Sequence, residues 1–270
     1  MTLGNLGIIG GGMMAEAIAS RLLSQKIYTA DEIQVSEPNA DRQALWRDHY
    51  GVAVTTDNAA LVRSAAVILL AIKPQILPIV SAALPAVSPV AGQVIISILA
   101  GTPIATLEAA FPDRAVIRVM PNTPATVGAG ISALAWGSQV QDADRAVARC
   151  LLGSVGEVVE VSETQLDAVT GLSGSGPGYV ALMVEALTDG GVAVGLARPI
   201  AAKLAVQTVL GTGQLLAATG VHPAELKDRV TSPGGTTIAG IAALEAAGVR
   251  SALISAVQAA TARSRELGQG

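Results

Sequence analysis

Residues Leu6-Gly7-Ile8-Ile9-Gly10-Gly11-Gly12-Met13-Met14-Ala15 constrain the fold more than any other stretch of this 270-residue chain. A short apolar run reads as a strand and ends in glycine. The spacing G-x-G-x-x-A follows, with Gly10, Gly12 and Ala15 in its key places. Met14, Ile18 and Leu22 then recur at i, i+4 and i+8, the spacing of one helix face. Gly10 permits a tight turn, Gly12 lets a diphosphate approach the backbone, and Ala15 lets the helix pack close to the strand. An ordinary glycine turn is the competing reading. The strand before the motif and the helix after it favour a dinucleotide site.

The rest of the first 160 residues repeats the alternation. Apolar runs predict strands at Leu6–Gly10, Ile33–Glu37, Ala66–Ile72, Val94–Ile98, Ala115–Val119, Gly130–Ala135 and Glu157–Val161, with a short one at Val52–Val54. Helical patterns lie between them, such as Met14–Leu23 and Asn39–Asp48. This order predicts an α/β fold, a mostly parallel sheet covered on both faces. Thr102-Pro103 reads as an N-cap followed by proline at the first helical position, and Asp142 reads as the next cap. Ser162-Glu163-Thr164-Gln165 fits a capping box. Beyond it the pattern is helical, broken at Gly171–Gly178, Gly195–Pro199, Gly220–Pro223, Ser232–Gly235 and Gly248. The expected domains are therefore 1–162, dinucleotide-binding, and 163–270, all helical and the element of self-association.

The composition narrows the function classes. The chain is 51% hydrophobic and 14% charged, with net charge −4. Mean hydropathy is +0.53, apolar for a monomer in water. A membrane span is not expected. Leu204 to Ala224 is uncharged but is interrupted by Gln207, Thr208, Thr212, Gln214, Thr219 and His222, and Val67–Ile72 is too short. A large protein–protein interface is the remaining explanation, so an oligomer is expected. No basic patch or aromatic ladder points to nucleic acid. Cys150 is the only cysteine, which excludes an intrachain disulfide. With His49 and His222 far apart in sequence, no metal site is expected. No signal peptide is read at the N-terminus, and the cytoplasm is the expected compartment.

Several strand ends carry polar candidates, where open α/β sheets bind ligands. Glu37 ends the second strand, in the place where such folds hold an acid for the ribose 2′-hydroxyl. A carboxylate there repels a 2′-phosphate and favours NADH, and Arg42 close by softens that preference. Lys73, in Ala71-Ile72-Lys73-Pro74, reads equally as a cofactor contact or a solvated lysine. Asn122, in Arg118-Val119-Met120-Pro121-Asn122, reads equally as a nicotinamide or ribose contact or as turn chemistry. Far along the chain, Asp228-Arg229-Val230-Thr231-Ser232-Pro233-Gly234-Gly235-Thr236-Thr237-Ile238-Ala239-Gly240 places a proline, two glycines and four hydroxyls before a renewed helical pattern. Such a turn aims backbone N–H groups and a threonine hydroxyl at one small anion. Read alone, Thr237 is better explained as a helix N-cap and nothing more.

These blocks, with Ser173-Gly174-Ser175-Gly176-Pro177-Gly178-Tyr179 and Glu185–Gly190, occur in the order found in the pyrroline-5-carboxylate reductase family. The chain resembles that family over nearly its whole length, and Asp228–Gly240 is the most specific block. The resemblance implies an N-terminal Rossmann domain and an all-α C-terminal dimerisation domain, with dimers that build into larger rings, up to a decamer. It implies reduction of 1-pyrroline-5-carboxylate to L-proline by NADPH or NADH. Carried onto this chain, it gives cofactor contacts at Gly10, Gly11, Gly12, Met13, Met14, Glu37, Asn58, Ala71, Lys73, Pro74, Ala100 and Asn122. Substrate contacts fall at Ser175, Ser232, Gly234, Gly235, Thr236 and Thr237. The N–H groups of Gly234 to Thr237 would hold the carboxylate, and the Thr237 hydroxyl would orient the ring nitrogen. Three residues depart from the family pattern: Met13 for asparagine, Leu99 for alanine, and Gly178 for the alanine before Tyr179.

Ser175 reads otherwise as a helix entry, Tyr179 as a packed aromatic, and Glu185 with Asp189 as a solvated helix face. Two other functions compete. A β-hydroxyacid dehydrogenase shares the domain plan, but it needs a lysine that Gly171–Glu185 lacks, and Lys203 lies too far along. A catalytically silent nucleotide-binding protein is disfavoured by the intact Gly234–Thr237 turn.

Overall fold

The computed structural model describes residues 3–82 and 92–268. Eight strands form one sheet: β1 Leu6–Ile9, β2 Ile33–Ser36, β3 Ala53–Thr55, β4 Val67–Leu70, β5 Val94–Ser97, β6 Ala115–Met120, β7 Gly130–Trp136 and β8 Gly156–Glu160. Their order is β3-β2-β1-β4-β5-β6-β7-β8. All neighbouring pairs are parallel except β6 and β7, which run antiparallel. Each of the eight strands lies within a residue or two of its predicted run. The doubly wound, mostly parallel sheet expected from the alternation is the one observed.

Helices lie between the strands: α1 Met13–Ser24, α2 Ala40–Ala44, α3 Asn58–Ser64, α4 Leu77–Ala82, α5 Ile104–Ala110 and α6 Asp142–Gly153. α2 runs on into a π-helical turn at Leu45–His49. Strand side chains alternate between the two faces. Ile8, Val35, Leu69 and Ile96 are buried with Ile18 and Leu22 of α1 and Leu151 of α6. Ile9, Ile68, Leu70 and Ile95 point the other way, into a second cluster with Leu61, Leu107 and Phe111. Both faces are covered, which is why the strands read as unbroken apolar runs.

The remaining helices are α7 Leu166–Val169, α8 Gly176–Ala193, α9 Arg198–Thr219, α10 Pro223–Arg229, α11 Thr236–Ala246 and α12 Val249–Gly268. The break expected at Gly171–Gly178 is instead a π-helical turn at Thr170–Gly174 followed at once by α8. The other breaks fall as expected, with Gly220 and Gly248 in left-handed conformation. By length and composition α9 suffices to cross a membrane. Its Ile200, Leu204 and Leu210, with Val180, Leu182 and Leu187 of α8, are exposed in the single chain.

Contacts divide the chain into two compact units: Met1–Gly174 with Ala260–Gly270, and Ser175–Ala259. This division falls beyond residue 162 for a physical reason. Leu166 is buried with Ile104, Ala133 and Ala135, and the Ser264 hydroxyl donates to Asp167 Oδ1 at 2.7 Å. Both segments thus belong to the sheet unit.

Two caps differ from expectation by one residue. Pro103, not Thr102, is the N-cap of α5. The first N–H of that helix, on Ile104, donates to Glu163 Oε1 at 2.6 Å. Gln141, not Asp142, caps α6, and its N–H donates to Asp144 Oδ2 at 2.8 Å. A proline at the cap has no side-chain acceptor, so a carboxylate from far along the chain takes that role. The capping box at Ser162 is present, its N–H donating to Gln165 Oε1 at 3.0 Å.

Glu163 also pairs with Arg118 of β6 at 3.0 Å. Glu163→Ala removes an acceptor from a helix start and a partner from a nearly buried guanidinium. It is expected to lower stability by about 1–3 kcal/mol in urea unfolding. Glu163→Gln keeps a neutral acceptor and should cost less. Equal losses for the two variants would show that the carboxylate's charge contributes nothing.

Candidate active site

The expected cofactor residues gather along the carboxyl edge of the parallel strands, where the order reverses between β1 and β4. Gly10 leaves β1 with φ +97°. Its N–H donates to Ser36 O at 2.9 Å, and Ala71 N donates to Ile9 O at 2.9 Å. An added Cβ at Gly10 would lie 2.8 Å from Ala71 O. Only glycine accepts that φ and that approach together. Gly12 is the extended N-cap of α1. A Cβ built there meets nothing within 4 Å, so the space above the turn is open. The N–H groups that begin α1, on Met13, Met14 and Ala15, have no acceptor within the helix. Open space, convergent donors and a helix N-terminus fit a dinucleotide's diphosphate. Met13 is exposed beside that space, whereas Ala15 is fully buried against the sheet.

Glu37 is buried at the end of β2. Its Oε2 accepts from Gly11 N at 2.8 Å and its Oε1 from Asn39 N at 2.9 Å. The carboxylate therefore grips the backbone of the glycine turn. Arg42 donates to Gly11 O from Nε at 2.8 Å and from Nη2 at 2.6 Å. Its Nη2 also pairs with Glu16 Oε2 at 2.7 Å. Neither residue projects freely toward a ribose.

Asn58 opens α3 behind its cap Asp57, whose Oδ1 accepts from Ala60 N at 3.0 Å. Ala71 follows β4. Lys73 is exposed and is the extended cap of a short 3-10 turn begun by Pro74. Ala100 is exposed in the turn beyond β5. Asn122 follows β6, and both ends of its amide are engaged. Nδ2 donates to Ser173 O at 3.2 Å and Oδ1 accepts from Ile131 N at 2.9 Å. The side chain stitches β7 to the π-helical turn. Among the described residues, no group of three or more His, Cys, Asp or Glu converges.

The expected substrate residues lie in the second unit. Gly234 has φ +65°, and Gly235 caps α11 in extended conformation. The first helical bond of α11 is Ala239 N to Gly235 O at 3.3 Å, and Gly235 N donates to Ser232 O at 3.0 Å. The N–H groups of Thr236, Thr237 and Ile238 are thus left without intrahelical acceptors. The N–H of Gly235 closes the turn instead. Ser175 stands before α8, and its carbonyl accepts from Gly178 N at 2.9 Å. The Tyr179 hydroxyl donates to Ala256 O at 3.3 Å. Asp189 pairs with Arg198 at 2.8 Å, which relieves the like charge of Glu185 four residues earlier.

Motif reasoning did not find the donors on Gly11 O. Trp46 Nε1 also donates there, at 3.1 Å. The signal available was the spacing of Arg42, Trp46 and Tyr50 at i, i+4 and i+8 on a helix.

A classical strand order, a glycine turn at its switch point and a helix N-terminus open to an anion define a dinucleotide-dependent oxidoreductase of two units. A family model described as NADP oxidoreductase, coenzyme F420-dependent, matches residues 5–101. A second, described as pyrroline-5-carboxylate reductase dimerisation, matches residues 163–267. Pyrroline-5-carboxylate reductase from a Synechocystis species is 54% identical over 268 residues, covering 98% of each chain. The solved structure of the Coxiella burnetii pyrroline-5-carboxylate reductase superposes with TM-score 0.90 at 33% identity, covering 98% of each chain. That of the Plasmodium falciparum pyrroline carboxylate reductase with NADP bound gives 0.87 at 29% identity, covering 99% of each. The chain belongs to the pyrroline-5-carboxylate reductase family.

The glycine geometry carries its own test. Gly10→Ala forces a side chain into a left-handed φ and against Ala71 O, and should lower the melting temperature by several degrees. Gly12→Ala enters open space at an ordinary φ and should leave it unchanged. Thermal unfolding followed by circular dichroism reads both. Equal shifts would contradict the close seating of Gly10.

Proposed function

We propose that this chain reduces 1-pyrroline-5-carboxylate to L-proline with NAD(P)H. The observation that carries the reading is the pair of anion-ready helix starts, α1 behind Gly12 and α11 behind Gly235, in a chain of this family. The first fits a dinucleotide diphosphate. The second fits a small carboxylate. Gly10, Gly11, Gly12, Met13 and Met14 form the diphosphate turn, with Glu37, Asn58, Ala71, Lys73, Pro74, Ala100 and Asn122 along the same strand edge. Gly234 shapes the second turn. Thr236 and Thr237 offer N–H groups to the carboxylate, Ser232 and Gly235 hold that turn, and Ser175 stands at the entry of α8 as a further substrate contact.

When bound, the nicotinamide supplies the hydride that adds to the imine carbon, while the C=N π pair passes to a nitrogen that arrives protonated. The residues then need only bind and orient, and no strong general acid is required. The Thr237 hydroxyl oxygen accepts from the protonated ring nitrogen and sets the face presented. The cofactor preference expected from Glu37 is read by the ratio of rates with NADH and NADPH.

The exposed apolar side chains of α8 and α9 support self-association through the helical unit; the assembly proposed is a dimer, with larger rings up to a decamer built from it. A second copy covers them more simply than a bilayer does, because Arg198 and Lys203 lie on α9 itself. Sedimentation tests this. We place the reaction in the cytoplasm, on the single cysteine, Cys150, and assign no role with nucleic acid.

Initial rates with 1-pyrroline-5-carboxylate and each nicotinamide should show proline formation. No turnover from an oligomer that still binds both cofactors would reject the assignment. Thr237→Ala should lower kcat about 10- to 100-fold, the size of a lost hydrogen bond to a charged group, with cofactor affinity nearly unchanged. Undiminished kcat in that variant would remove Thr237 from the chemistry.

A further inference from the structure

The glycine turn is held from one side by a set of donors that the motif does not contain. Gly11 O accepts three hydrogen bonds: Arg42 Nε at 2.8 Å, Arg42 Nη2 at 2.6 Å and Trp46 Nε1 at 3.1 Å. Gly11 N donates to Glu37 Oε2 at 2.8 Å. Behind Arg42 stands Glu16 of α1, whose Oε2 pairs with Nη2 at 2.7 Å and whose Oε1 accepts from Tyr50 Oη at 2.8 Å. Trp46 is fully buried, and its ring meets Tyr50 at 5.3 Å between centroids. The donors come from one short segment, α2 and its π-helical continuation. A π-helical turn at Leu45–His49 carries Trp46, and such turns occur often at functional sites.

We infer that Arg42 and Trp46 are positioning residues for the dinucleotide: they lock the Gly11–Gly12 peptide plane so that its N–H faces the diphosphate. The reasoning is geometric. A trans peptide points its C=O and N–H in opposite directions. Three donors hold the Gly11 carbonyl toward α2, so the Gly12 N–H points away from α2. A cation on the carbonyl also polarises the peptide and strengthens that N–H as a donor. Three consecutive glycines would otherwise leave the turn many conformations. Locking it beforehand removes an ordering cost from binding. The lock acts on cofactor affinity and leaves the hydride-transfer step alone.

The electrostatics agree. Burial raises the Glu16 carboxyl, but the hydrogen bonds from Arg42 and Tyr50 and the charge of Arg42 outweigh it and hold the group below its ordinary range. Burial, then the hydrogen bond to Glu16, pushes the Tyr50 hydroxyl up to about 12. Glu16 therefore stays ionised and Tyr50 protonated at neutral pH, and the pair keeps Arg42 turned toward Gly11.

The inference rests on the assignment of the glycine turn to the cofactor, and the test separates the two. Dissociation constants for NADP+ and NADPH are measured by calorimetry on the full chain, beside kcat, both KM values and the melting temperature. Trp46→Phe keeps the ring and loses one donor. It should weaken cofactor binding about five-fold. Arg42→Met should weaken it on the order of ten-fold or more, and Arg42→Lys should recover part of the loss. In each, kcat and the KM for the imine stay near wild type. Gly12→Ala, which places a methyl where the diphosphate approaches, is the control and should weaken binding at least as much. If Gly12→Ala weakens binding while Arg42→Met and Trp46→Phe stay within two-fold of wild type, the lock is wrong and the site stands. If all three bind as wild type, the glycine turn is not the cofactor site and both readings fall. If Arg42→Met does not fold, Arg42→Lys and Trp46→Phe decide between the same outcomes.

Discussion

The seating of Gly10 between the ends of β2 and β4 is the contact on which the rest of the structure depends. At that point β1 must stop, turn and start a helix within three residues, while both neighbouring strands crowd it. The amide bonds to Ser36 and the near approach to Ala71 leave no room for a side chain. Because the turn is so tight, α1 begins directly over the strand end and aims its first N–H groups at the crevice where the strand order reverses. Glu37, Lys73, Ala100 and Asn122, beyond β2, β4, β5 and β6, then lie along the same edge without any being sequence neighbours.

The helical unit follows a different physical rule. α8 and α9 are long and apolar, yet much of their surface is exposed in one chain. Neither helix separates a polar from an apolar face well enough to fold against one partner and leave the other side to water. Burial against a further copy resolves this. The same surplus of apolar surface explains the low share of charge in the sequence.

Much of the site's chemistry lies in how the turns are braced. Glu37, placed by motif to read a ribose, turns inward to two backbone N–H groups. Asn122 spends both ends of its amide on the protein. Gly235 closes its own turn and leaves the donor role to the residues after it. A carboxylate or amide at a strand end can face a ligand or grip the backbone. The choice depends on which N–H groups come within reach, and those belong to residues distant in sequence.

By itself the sequence determined the eight strands, the mostly parallel sheet, the glycine turn and the turn before α11. These depend on local periodicity and on residues that few conformations tolerate, and both can be read along the chain. The tertiary structure alone decided the antiparallel β7, the union of residues 163–174 with the sheet unit, and the capping of α5 by Glu163. It alone brought Arg42 and Trp46 onto Gly11. Apart from the pairing of β6 with β7, whose partners lie 13 to 19 residues apart, each of these is a meeting of groups tens of residues apart. Strand direction, caps supplied from afar and the aim of a side chain are settled by what packs nearby in space, and no local pattern encodes that.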